Sequence, residues 1–473
     1  MSGPSGTSAG EGSSARRTVW EGIRKRARSR GTAAGPFDIG GEVPTMRVVI
    51  DPLISLDEGT TRSVNILRSD DPNITVLRRF DDAQDLQNEG DYTVIEPREL
   101  NTGKGWGGVT EMRDGRAWNR AIPYAENNIQ AAYNWAAHYG LDPDEARTRE
   151  LDAQAAISLD ADLYITDNAF ALHGMRMRSA CTVADAFAVI GLHQRLRSRV
   201  LVGTTHPRFI STWMAEHIQA IDMLPAVSAQ FADDNDAPRP NDETLALLRA
   251  MLVRVKRALA SRDRLLVSSL HPDGILGFEG PDELVERTVV SLQGLFDAAA
   301  RALNSELPKP FPLGGASFAR DRFRAALPDL VCALLERQEN LSLRDLISTL
   351  RNTIHNEPFG RAAFEKSGEV ETLATLEGKP ATEFRAVAKQ RGQTERWTLF
   401  EDAPAIPGRE LEVVLRPVPL IDDLIVLSCQ LANSLIAAAP WATRSFQPST
   451  SPDDWSTYPP YADAVRRWYG LGG

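Results

Sequence analysis

Apolar residues recur along this chain in two rhythms, and the change from one to the other divides it. From Met46 to about Thr205, short apolar or β-branched runs alternate with stretches whose apolar residues fall every three or four positions. The runs are MRVVI (46–50), NITVL (73–77), YTVI (92–95) and LYI (163–165). Strands alternating with helices predict an α/β unit on a mostly parallel sheet, because parallel neighbours need a long crossover. AENNIQAAYNWAAHY (125–139) predicts a helix that stops at Gly140, and Asp142-Pro143 opens another that runs to about Leu159. Beyond Glu243 the rhythm is helical: residues 243–261, 281–307, 318–338, 342–355 and 420–438 predict an α-helical bundle. Within it, TLATL (372–376), RWTL (396–399) and EVVL (412–415) predict a small β insertion.

The division expected from these patterns is a leader (1–45), an α/β domain (46–205), a linker (206–240), a helical domain (241–440) with its β insertion at 367–417, and a C-terminal tail (441–473). A chain of 473 residues is long enough for two cores. With 42% hydrophobic and 25% charged residues, most of it is expected to fold. No stretch reads as apolar enough for a membrane span, and the Gly/Ser-rich start lacks the apolar segment of a secretory signal, so a cytoplasmic location with no membrane partner is expected. Cys181, Cys332 and Cys429 are far apart, without a CxxC pair, and read as reduced, packed thiols.

A net charge of -11 argues against a broad nucleic-acid-binding surface. Two local exceptions are basic. RRTVWEGIRKRARSR (16–30) reads as a solvated tail or an arm touching nucleic acid, and VIGLHQRLRSRV carries His193, Arg195, Arg197 and Arg199 at what reads as a solvated helix end. The tryptophans are scattered, without basic-aromatic interleaving. The loop GKGWGG (103–108) lacks the setting of a phosphate-binding loop.

The chemistry that stands out is acidic. Asp51 ends the first strand at a proline, and Asp167 follows LYIT, so both fall at the carboxyl ends of predicted strands, where parallel sheets form their sites. Glu150 and Asp152 lie on the helix before the second of these strands, two residues apart and hence on different faces, with Asp144 and Glu145 nearer its start. Carboxylates gathered on one rim repel each other unless they share protons or a cation neutralises them, and hard oxygen donors suit Mg2+ or Mn2+.

MRVVID and ELDAQAAISLDADLYITDN, in that order, resemble the PIN-domain nucleases. The resemblance covers residues 46–205 and implies an α/β PIN-like parallel-sheet domain acting as a metal-dependent ribonuclease, with RNA as partner and Mg2+ or Mn2+ as cofactor. It implies catalytic and metal-binding roles for Asp51, for Glu150 or Asp152, and for Asp167. Spacing back from Thr166 favours Glu150, and the following alanine favours Asp152. Glu96 and Glu99 are the candidates for a further acid. In the second half, LRDLISTLRNTIHNEPFG (343–360) places Arg351 and His355 four apart on one helix face. This stretch resembles the HEPN helical-bundle family, with fewer residues between Arg and His than its nuclease members have. It implies a further reading, a metal-independent ribonuclease using Arg351 and His355; the remaining alternative is a catalytically inactive protein in which the PIN-like and HEPN-like halves both serve binding or homo-oligomerisation. Together the two resemblances imply a stress or phage-defence effector.

Overall fold

Met46–Ile50 (β1) is buried over most of its length and is an interior strand of a seven-stranded sheet. It pairs in parallel with Ile74–Arg79 (β2) on one side and Leu163–Ile165 (β6) on the other. The computed structural model describes residues 45–95, 107–122, 126–172, 179–202, 208–231, 240–269, 280–356, 358–366, 369–399, 412–442 and 462–471. The chain divides into two compact units, residues 1–211 together with 467–471, and residues 212–466.

In the first unit, Glu58–Asp70 (α1) carries the chain from β1 to β2, and Asp91–Ile95 (β3) pairs in parallel with β2. Gly107–Arg113 (β4) and Arg116–Ile122 (β5) then add an antiparallel hairpin to that edge, an extension that the alternation of strand and helix did not predict. Glu126–Tyr139 (α2) and Pro143–Ser158 (α3) lead into β6, and Ala169–Leu172 (α4) leads to Ala180–Cys181 (β7), parallel to β6. The sheet order is β5-β4-β3-β2-β1-β6-β7. Successive parallel strands therefore add on one side as far as β3 and then on the other from β6, and the crevice of such a sheet opens where that direction reverses, between β1 and β6. Ala153, Ala155 and Ala156 of α3 are buried with Val49, Leu77, Tyr92 and Tyr164, and these small residues let the helix lie close to the sheet.

The acids of LDADLYITDN have separate tasks. Asp160 takes a positive φ of 52°, the left-handed conformation that reverses the chain after α3. Asp162 accepts the Arg47 backbone N–H at 2.7 Å and so fixes the register of β6 against β1. The Arg47 side chain is buried and meets Glu111 on β4.

Val183–Leu196 (α5) follows, then the hairpin Val200–Val202 (β8) and Arg208–Ile210 (β9). The expected basic helix end on α5 is solvated only in part: His193 and Arg195 are buried, Arg197 is half-buried and Arg199 is exposed. Arg195 donates to the Trp468 carbonyl at 2.7 Å and lies 4.0 Å from the centroid of the Tyr469 ring. Trp468 stacks on Phe187 at 4.8 Å and donates its indole N–H to the Leu201 carbonyl at 2.8 Å. The end of the chain, expected as a tail, thus supplies aromatic core to the first unit.

In the second unit, Thr212–Met223 (α6) and Pro225–Ala229 (α7) occupy part of the expected linker. The bundle consists of Asp242–Ser269 (α8), Pro281–Ser305 (α9), Asp321–Arg324 (α10), Asp329–Glu336 (α11), Gln338–Asn356 (α12) and, after the inserted elements, Pro417–Ala437 (α15). The single helix expected over 318–338 is broken into α10 and α11, with Pro328 between them. The insertion is a three-stranded antiparallel sheet of Gly360–Lys366 (β10), Glu369–Glu377 (β11) and Glu412–Val414 (β12). Gly378–Gln390 (α13) and Thr394–Trp397 (α14) lie between β11 and β12 in sequence, and RWTL is split: Arg396 and Trp397, which is fully buried and bonds to Asp423, end α14, while Thr398 makes an antiparallel bridge to Leu415. Ala462–Tyr469 (α16) ends the described chain.

Helix α15 is, by length and composition, apolar enough to cross a membrane, which corrects the expectation that no stretch is; more than half of it is buried in the bundle. Its Asp422 meets the buried Arg262 of α8, and the neighbouring Asp423 accepts from Arg396 at 2.7 and 2.9 Å. The three cysteines are free thiols, with Cys181 and Cys429 buried.

A Cβ added at Gly191 of α5 would lie 2.0 Å from the Trp468 carbonyl oxygen, so only glycine lets the last helix approach. Gly191→Ala is expected to lower unfolding free energy by about 1–3 kcal/mol through overpacking. Trp468→Ala, which empties a core position, is expected to lower it by about 3–5 kcal/mol. Urea titration followed by circular dichroism measures both, and wild-type midpoints in both variants would mean that α16 contributes nothing to the first unit.

Candidate functional site

The site forms where β1 and β6 end. The register sets Ile50 beside Ile165, and the Asp51 N–H donates to the Ile165 carbonyl at 2.9 Å, so Asp51 and the Thr166-Asp167 pair leave the sheet together. Asp51 is buried, and both of its oxygens are engaged. Oδ1 accepts the Leu53 N–H at 3.0 Å, and Oδ2 accepts the Thr166 hydroxyl at 2.6 Å. Thr166 Oγ1 in turn accepts the Asn168 N–H at 3.0 Å, so the sequence Thr-Asp-Asn folds as a small turn around the Asp51 carboxylate.

The cation facing these acids is Arg149, from the middle of α3. Its Nη1 lies 3.4 Å from Asp51 Oδ2 and also bonds Asp167 Oδ1, while Nη2 lies 2.8 Å from Glu145 Oε1, one helical turn earlier. Asp51 and Asp167, expected on one rim, are thus brought to one guanidinium. A second arginine serves Asp152: Arg79, the last residue of β2, places Nη1 2.7 and 2.6 Å from its two oxygens. Asp152 is completely buried. Burial pushes its carboxyl up to about 7, with Arg79 pulling it down and the charge of Asp51 pushing it further up. Buried Tyr92 and Tyr164 line the same space, and burial first, then the charges of Asp152 and Asp51, hold both phenols well above their ordinary value.

On α3, the carboxyl of Asp152 feels the charge of Asp51. Glu150 is also buried and accepts from Gln154 on its own helix at 2.9 Å. Arg351 and His355 lie in the last turns of α12, both exposed, and Arg351 donates to its neighbour Asn352 at 3.2 Å. Glu96, Glu99 and most of the glycine-rich loop fall outside the described residues, as does the basic leader. The residues that the sequence reading missed are the two arginines. Glu145 and Arg149 at i and i+4 were a visible pairing signal, but reading the rim for acids alone passed over it.

For a divalent ion the donor chemistry fits and the placement does not. A site built for Mg2+ or Mn2+ presents carboxylate oxygens without other partners, whereas the oxygens of Asp51 and Asp152 already accept from the protein. The buried polar atoms left without a partner at this rim are Arg79 Nε, Arg149 Nε and Tyr92 Oη, two of them pure donors that a cation would repel. Among the described residues, no three His, Cys, Asp or Glu side chains are grouped to hold a metal.

Comparison of the chain with protein-family models, with curated proteins and with solved structures finds no match.

The Asp152 carboxyl binds its proton more tightly in the fold than in the unfolded chain, where its value is the ordinary 3.8. Its contribution to stability is therefore present at low pH and is lost as pH rises from 3.8 through about 7. Asp152→Asn, which keeps an acceptor for Arg79, is expected to flatten the fall in denaturation midpoint across this interval. A variant retaining the full wild-type slope would assign the slope to other groups.

Proposed function

We propose that the first unit is a PIN-like domain whose acidic rim is neutralised by arginine, and that the chain works as a binding protein without phosphodiester hydrolysis. The observation that carries this reading is the position of Arg149 Nη1 against Asp51 and Asp167 at once. A guanidinium keeps its charge at all working pH values, so it relieves the repulsion between carboxylates as a metal would. It has no open coordination position, so it cannot supply an activated water. PIN-like ancestry is supported by the parallel order β3-β2-β1-β6-β7, the aspartate ending β1, the Asp152-bearing helix before β6 and the Thr-Asp-Asn turn after it. A HEPN-like second unit is supported by its helical bundle and by the spacing of Arg351 and His355 on α12.

A second reading, a Mg2+- or Mn2+-dependent ribonuclease, is favoured by the convergence itself: Asp51 and, about a hundred residues later, Asp152 and Asp167 come to one end of the sheet. It requires Arg149 to leave the rim.

Labelled single-stranded RNA incubated with manganese and with wild type, Asp51→Asn or Arg149→Ala separates the two. The expected result is no cleavage by wild type. Manganese is expected to raise the melting temperature of Arg149→Ala and leave wild type unchanged, since a ligand that binds only the folded state stabilises it. Manganese-dependent cleavage by wild type that disappears in Asp51→Asn would overturn the binding reading in favour of the second. Cleavage that survives EDTA and is lost in His355→Ala would move the chemistry to the helical unit.

A further inference from the structure

Helix α8 is basic where the chain as a whole is acidic. Residues 244–262 contain five Arg or Lys and no Asp or Glu, in a chain of net charge -11. Two of the five are used inside the unit: Arg262 is buried against Asp422, and Arg254 packs over Gly294 of α9. The other three, Arg249, Lys256 and Arg257, fall at helical positions i, i+7 and i+8 with the exposed Val253 between them, and so share one face about 12 Å long.

The tertiary fold adds aromatic rings to this face. Trp213 of α6 lies with its ring centroid 3.8 Å from Lys256 Nζ, and His217, one turn along α6, stacks on it at 5.7 Å with planes 17° apart. With both neighbours against it, Trp213 still keeps 61% of its surface in solvent. Further along, the Arg249 guanidinium carbon sits 5.5 Å from the centroid of Phe231. Rings and cations are therefore interleaved along one surface of the second unit, an arrangement that the scattered tryptophans of the sequence did not predict. Glu216 acts on Lys256 and offsets part of the positive charge at the Trp213 end.

We propose that this face, formed by Trp213, His217, Arg249, Lys256 and Arg257, docks single-stranded RNA. A base extends the Trp213–His217 stack while Lys256, Arg257 and Arg249 take successive phosphates, the combination of stacking and backbone neutralisation that binds single strands without sequence preference. An acidic polypeptide would satisfy the cations but leaves the exposed surface of the Trp213–His217 pair uncovered, which favours the nucleic acid. The inference names a partner class and uses none of the rim residues, so it stands or falls apart from the question of hydrolysis.

The test is fluorescence anisotropy of a labelled oligouridylate dodecamer with the full chain, in EDTA so that metal-dependent hydrolysis plays no part. Wild type is expected to bind, with affinity falling as salt rises from about 50 to 200 mM; three phosphate contacts on a single strand give a log–log slope of about -2. Trp213→Ala is expected to weaken binding about tenfold, and Trp213→Phe less. Arg249→Ala/Lys256→Ala/Arg257→Ala is expected to remove most of the salt slope. These side chains are at the surface, and unchanged circular dichroism and melting temperature check that the variants fold. Wild-type affinity in the triple variant, no binding by wild type at low salt, or equal affinity for polyglutamate would each overturn the proposal. If the Asp51→Asn chain binds as wild type does in EDTA while neither cleaves RNA in manganese, the docking face and the binding reading of the rim both hold.

Discussion

A carboxylate withdrawn from water must meet a positive charge or take up a proton, and the first unit is organised around that requirement. Asp51 and Asp152 are buried at one end of a parallel sheet, and burial, with the charge of Asp51 beside it, raises the proton affinity of Asp152. Arg149 answers from helix α3 and Arg79 from strand β2. The same solution recurs away from the rim. Arg47 meets buried Glu111, Arg68 meets buried Asp91, and in the second unit buried Arg262 meets Asp422. Removing one partner from such a pair is more damaging than never having had the pair, because the remaining ion stays buried.

A second constraint is the incompleteness of the first unit's core without the end of the chain. Helix α5 presents Phe187, Gly191 and Arg195 on one face, and Trp468 and Tyr469 cover them. The pairing spans more than two hundred and seventy residues of sequence. Such a contact has a high closure entropy and depends on shape: an indole stacked at 4.8 Å, a bare glycine, and an arginine flat against a phenol ring.

Much of the fold was legible because hydrophobic period is a local property. The parallel strands β1, β2, β3 and β6, the helices α2 and α3, and the long helices of the bundle follow from runs and spacings within a dozen residues. Where the reading failed, a long-range partner overrode the local pattern. RWTL alternates like a strand, but only Thr398 bridges to Leu415, because the buried Trp397 binds Asp423 and is held in a helical turn. VIGLHQRLRSRV has the composition of a solvated helix end, but Arg195 is covered by the chain terminus.

The sequence by itself determined which residues end the strands of a parallel sheet, and therefore that Asp51 and Asp167 would share a rim. It could not determine what neutralises that rim. Whether a carboxylate faces a metal, a proton or a guanidinium depends on which side chain from another element reaches it within about 3 Å, and an arginine is long enough to serve any of several neighbours. Only the packing of α3 against the sheet decided that Arg149 reaches Asp51 and Asp167, and only the register of β2 set Arg79 against Asp152.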